Sequence, residues 1–152
     1  MEFIVFLDRI EIEIIRIVEE AGYSIKENSS LCLLSEKYAG FLIKKDKKIV
    51  ICTDNAKKRE GYTNRSNQNI DIFEKTAIHI KKALRHEAVH VAQECNNGNL
   101  LEINKKLSIN KTKLDALRGS KNISGEEEKE RQAYILEDKP KLLKEKLEKY
   151  CL

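Results

Sequence analysis

The chain has 152 residues, a net charge of +4 and an isoelectric point near 8.8. That length suits one domain burying about two thirds of its unfolded surface, and no apolar run approaches the ~18 residues needed to span a membrane. The lysines alternate with glutamates and aromatic residues are few, so nothing marks a nucleic-acid-binding surface.

From the N-terminus, Glu2 to Ala21 reads as a helix. Phe3, Phe6, Leu7, Ile10, Ile14, Ile17, Val18 and Ala21 form an apolar stripe, and Gly22 ends it. Alternation from Ile10 to Ile15 makes a strand the competing reading. This start carries Glu2, Asp8 and Arg9 and lacks a basic leader and a cleavage site, unlike a secretory signal. Leu31 to Leu34 suggests a strand. Tyr38 to Lys44 and Lys48 to Thr53 are β-branched and apolar, and joining them through Lys45-Asp46-Lys47 gives a hairpin. Asp54 to Asn69 is polar and reads as a long exposed loop, either a connector or a flap over a cleft.

Ile72 to Asn96 contains no Gly or Pro and repeats apolar residues at the helical period, with Asp71 to cap its start and Gly98 beyond its end. Residues 86 to 90 inside it read His-Glu-Ala-Val-His, with two of the chain's three histidines. Positions i and i+4 share a helix face, so His86 and His90 can reach one metal ion while Glu87 stands beside them. Ala88 and Val89 are small enough to let a second element approach. A catalytic zinc takes three protein ligands and a water, so a third ligand is required. His79 lies seven residues before His86, about 10 Å along the axis, too far to share the ion. Glu94 is a further turn along and cannot close a tetrahedron.

Leu100 to Leu117 suggests one or two short helices, and Gly119 to Ser124 a loop. Ser124 with Glu127 forms a capping box and predicts a helix over Gly125 to Glu137. Glu126, Glu127 and Glu128 have an ordinary role there as charges at a helix N-terminus. Glu130 lies a turn deeper, with the small Ala133 three residues on, and is the favoured third ligand. Glu126, Glu127 and Glu137 are the alternatives. Pro140 starts a last helix with Leu143, Leu147 and Tyr150 on one face. The cysteines at 32, 52, 95 and 151 show no metal-binding spacing. They read as reduced thiols of a cytoplasmic protein, with a Cys32–Cys52 disulfide as the exception.

HExxH followed by a helix bearing E-x-x-A resembles the gluzincin type of zinc metallopeptidase, most closely the small single-domain minigluzincins. It is similar also to the prenyl-protein-processing peptidases and the repressor-cleaving peptidases of mobile elements. The resemblance runs from the long helix to Glu137. It implies a single zincin-like domain over 1–152 and an α+β fold, with a small mixed sheet of about three strands on the long helix. Further helices would include a C-terminal ligand helix. It also implies Zn2+ held by His86, His90 and Glu130, Glu87 as general base, and a protein or peptide substrate. In such folds an edge strand pairs with the substrate backbone, and Lys48 to Thr53 or the loop after it is the candidate. Where those families carry Asp or Asn after the alanine, this chain has Tyr134, which can donate a hydrogen bond to an oxyanion. Tyr62, Arg85 and His79 are further candidates for that donor. The competing function is a catalytically weak zinc-binding interaction module on the same fold.

Overall fold

The computed structural model describes residues 1–63, 69–104, 107 and 126–152. Its architecture is α+β: five α-helices among the described residues and a three-stranded mixed sheet packed on the longest helix. The expected N-terminal helix is divided. A 3-10 turn covers Glu2–Phe6, and α1 begins at Arg9 and ends at Glu20. The break lies at Asp8, which takes an extended conformation and caps α1 reciprocally with Glu11. The Glu11 carboxylate accepts from the Asp8 N–H at 2.9 Å. The D-x-x-E pattern therefore overrides a continuous apolar stripe. Gly22, at φ +94°, supplies the left-handed turn into β1.

The sheet has the order β1 (Ser24–Glu27), β3 (Lys48–Ile51), β2 (Gly40–Ile43). β2 and β3 form the expected antiparallel hairpin, with Gly40 opposite Ile51. Two expectations change. Leu31 to Leu34 is not a strand: Ser30–Leu34 is a 3-10 turn, started by the Ser29 hydroxyl accepting from Leu31 N–H. The third strand is β1, parallel to β3. β3 is thus central rather than an edge, and β2 is the edge strand on its side of the sheet. The polar stretch after β3 departs from a loop in its first part, while residues 64–68 of the expected loop or flap lie outside the described residues. Thr53–Arg59 forms α2, whose Asn55 and Ala56 are buried. The Asn55 amide reaches the carbonyls of Cys32, Ser35 and Tyr38 at 2.8, 3.1 and 2.9 Å, pinning the segment that leads into β2.

α3 runs from Ile70 to Cys95, starting at Asn69, which accepts from Ile72 N–H, rather than at Asp71. α4 is Glu127–Leu136 and α5 is Pro140–Cys151. The core joins Ile14, Ile17 and Val18 of α1 to Ile80, Leu84 and Val91 of α3 and to Leu143 and Leu147 of α5. Each such side chain contributes roughly 1.5–3 kcal/mol on leaving water. Ile49 and Ile51 of β3 close the sheet side. No described helix is long and apolar enough to cross a membrane.

All four cysteines are paired, Cys32 with Cys52 and Cys95 with Cys151, against the expectation of reduced thiols. The fold brings Cys95 at the end of α3 beside the end of α5, a contact that chain spacing does not reveal. The helices expected within Leu100–Leu117, the Gly119–Ser124 loop and the Ser124–Glu127 box lie partly or wholly outside the described residues; residues 100–104 are not helical.

Candidate metal centre

α3 carries the two histidines where its flank meets both β2 and α4. Ala88 and Val89 have no exposed surface, and neither has Ala133 on α4. Small residues on both sides let the helices approach closely enough for Glu130 to arrive between the imidazoles. His90 Nε2 lies 2.8 Å from Glu130 Oε1, and His86 Nε2 lies 3.2 Å from Glu130 Oε2. One ligand atom from each of the three residues falls within 4.8 Å of the others. A tetrahedral zinc with bonds of ~2.0–2.1 Å holds its ligand atoms about 3.3 Å apart, so the set lies within reach of one ion once it contracts around it. The donors, two imidazoles and a carboxylate, are of the type that zinc takes in hydrolytic sites.

The other ring nitrogens are committed elsewhere. His86 Nδ1 donates to Glu137 at 3.2 Å, and His90 Nδ1 donates to the Gln93 carbonyl oxygen at 2.8 Å. Such partners fix the tautomer and turn each Nε2 toward the ion. Gln93 is itself held by bonds to the Lys129 carbonyl and to Gln132, both at 3.1 Å. Gln132 in turn clamps the N–H and C=O of Leu101 at 2.9 and 2.7 Å. Chain spacing identifies neither acceptor as such: it offers Glu137 as an alternative ligand and Gln93 only as the residue one turn beyond His90. The remaining alternatives do not join the cluster: Glu126 borders the same small pocket but pairs with Lys129 and Lys44, and Glu127 is exposed.

Glu87 borders the cluster without joining it. Burial raises its pKa, opposed by His86 and His90 and reinforced by the negative charge of Glu130 and Glu137. A dication beside it would pull that pKa down again. Burial works against a protonated His86, but hydrogen bonds to Glu130 and Glu137 outweigh it and push the ring up to about 10. Burial likewise opposes charge on Glu130, yet its bonds to both histidines hold it far below the usual carboxylate range. In the metal-free protein protons therefore do the joining that an ion would do.

The Tyr134 ring stands edge-on to His86, centroids 4.7 Å apart. Burial, then the charges of Glu130, Glu137 and Glu87, raise its pKa, so the phenol keeps its proton and can donate. Tyr134 and His79 both line a cleft of about 570 Å³ beside His86 and Glu87, with His79 bonded to Glu60 at 2.7 Å. The other two donor candidates lie elsewhere. Tyr62 packs in an aromatic cluster with Phe6 and Phe73, and Arg85 donates to the Lys81 carbonyl. Gly40 opens β2 next to the site. A Cβ there would lie 3.0 Å from Val50 O and 3.7 Å from Glu87 Cγ, so the absence of a side chain lets β2 pack tightly on the β3 backbone beside α3.

A family model matches residues 3–152, and the chain belongs to that family, described as a domain of unknown function, DUF8637. No curated protein and no solved structure matches the chain.

Proposed function

We propose that this DUF8637 member is a zinc-dependent peptidase of gluzincin type, with His86, His90 and Glu130 as ligands and Glu87 as general base. The observation that carries the reading is the convergence of both Nε2 atoms on the Glu130 carboxylate, with each Nδ1 backed by its own acceptor. A solvated HExxH helix has no reason to bury such an arrangement.

Zinc in this position supplies a Lewis acid that acidifies a water and polarises a carbonyl. The chain's residues do the rest. Edge strand β2 offers backbone groups to an extended peptide, and Gly40, Phe41 and Leu42 border Glu87, His90 and Glu130. Glu87 accepts the proton of the attacking water and passes it to the leaving amine. Tyr134, its hydroxyl protonated, donates to the oxygen that gains charge, a bond worth roughly 3 kcal/mol in the transition state.

The test combines metal analysis with peptide hydrolysis. Native protein is expected to hold one zinc and to cut peptides. Glu87→Gln is expected to keep the metal and lose about 10²- to 10⁴-fold in turnover, the span of general-base catalysis. Glu130→Ala is expected to lose the metal, and Glu126→Ala to retain it. Equal metal loss in the last two variants would refute the ligand set. Stoichiometric zinc with no cleavage of any peptide would favour the interaction-module reading.

A further inference from the structure

The two ends of β2 face different electrostatic surroundings. At the Lys44 end the cations have a carboxylate partner, since Lys44 lies 3.5 Å from Glu126, which also pairs with Lys129. At the Gly40 end the cleft beside Glu87 is lined by Lys37, Arg59 and Lys82. Lys82 has a loose partner in Asp138, 3.9 Å away. Lys37 and Arg59 make no ion pair with any described residue. The carboxylates lining the same space are already engaged: Glu137 accepts from His86, and Glu87 faces the ligand cluster. The cleft thus has a surplus of positive charge next to the reacting centre.

The Lys37 and Arg59 side chains are exposed, but the backbone that carries them is braced. Arg59 is the last residue of α2, one turn beyond Asn55 and on the same face. Asn55 binds the carbonyls of Ser35 and Tyr38 on either side of Lys37. The Cys32–Cys52 disulfide joins the start of α2 to the same segment. Arg59 and Lys37 are therefore mounted on one braced unit that faces the site. Bracing of this kind lowers the ordering cost of binding.

We propose that this end of the cleft selects a substrate carboxylate next to the scissile bond, with Arg59 and Lys37 as the specificity-determining residues. This rests on the peptidase reading above and names its substrate class: peptides with an acidic side chain, or a free C-terminus, on the Gly40 side. A peptide lying along β2 passes over Glu87 and delivers its next group into this space. Arg59 is suited to the task, because its planar fork can grip both carboxylate oxygens.

The experiment uses matched peptides differing only as Glu or Gln beside the cleaved bond, and as free acid or amide at the C-terminus. Cleavage is followed with zinc-loaded native protein and binding with zinc-loaded Glu87→Gln by fluorescence anisotropy. Native protein is expected to favour one carboxylate form about three- to fivefold, the upper end for exposed ion pairs, with the margin shrinking as salt rises. The margin is expected to fall below about twofold in Arg59→Ala/Lys37→Ala, and Arg59→Glu to favour Lys at that position. The Gln and amide arms tell which carboxylate is read. Equal handling of carboxylate and amide, or a margin that survives the double variant, overturns the proposal while leaving the peptidase reading intact. Absence of cleavage with Arg59-dependent carboxylate binding to Glu87→Gln overturns the peptidase reading and keeps the cleft assignment. Neither cleavage nor binding overturns both.

Discussion

With both Nδ1 hydrogens committed to Glu137 and Gln93, each imidazole has Nε2 for an ion, and the metal-free cluster closes over a proton instead. Zinc must displace that proton. Since His86 sits near pKa 10 against an ordinary 6.5, metal binding at pH 7 is expected to release close to one proton from this residue. Titration calorimetry in buffers of different ionisation enthalpy reads the number; a value near zero would contradict the His86 environment. The sign for stability follows from the same raised value. In metal-free protein the contribution of His86 is fully present below about pH 6.5 and is lost as pH rises through about 10. Gln93 gives a second prediction. Gln93→Ala orphans the His90 N–H and frees Gln132 and the Lys129 carbonyl. Zinc affinity is expected to fall about 10- to 100-fold, with about 1–3 kcal/mol lost from folding stability. Competition with a chromophoric chelator and urea unfolding check the two parts; unchanged affinity would deny Gln93 its orienting role.

At the level of elements, Gly40 shows how closely β2 is fitted to β3 beside α3. Gly40→Ala places a methyl 3.0 Å from a backbone oxygen and 3.4 Å from Ala83 Cβ. Neither neighbour is a flexible side-chain end, so the strand must shift, at a cost of about 1–3 kcal/mol. The variant is expected to lose both thermal stability and turnover while still binding zinc, because no ligand lies on β2. Loss of zinc as well would mean that the strand supports the ligands directly. The same elements show what the sequence made legible. α3, the hairpin and α5 announce themselves by local periodicity and breakers, and Glu130 by its depth in a helix next to a small alanine. β1 did not. Its four residues, Ser-Ile-Lys-Glu, lack an apolar run and gain strand character only by parallel pairing with β3, a non-local contact. α2 was hidden because Ala56 is its one buried apolar side chain. What anchors it is Asn55, whose three carbonyl partners lie 17 to 23 residues away. Glu137 and Gln93 escaped for a related reason. Which polar residue faces a ring nitrogen depends on how α4 sits on α3, and chain spacing does not encode that register.

For the molecule as a whole, the paired cysteines alter the balance most. They withdraw the support that reduced thiols lent to a cytoplasmic setting, since such bonds persist best in oxidising surroundings. In the chain-entropy picture, closing loops of 20 and 56 residues stabilises by roughly 3 and 4 kcal/mol. Chemical unfolding with and without reductant is expected to differ by several kcal/mol, the Cys95→Ala/Cys151→Ala pair accounting for the larger share. Identical midpoints would show that the bonds do not form in solution. The longer bridge has one more result. It encloses everything from Asn96 to Tyr150, including Glu130, in a ring that begins one helical turn past His90. A protease nick anywhere in that ring yields two pieces on a common skeleton, one band on a non-reducing gel and two after thiol treatment. The carboxylate then stays tethered near the histidines even after its own strand of backbone has been severed from theirs.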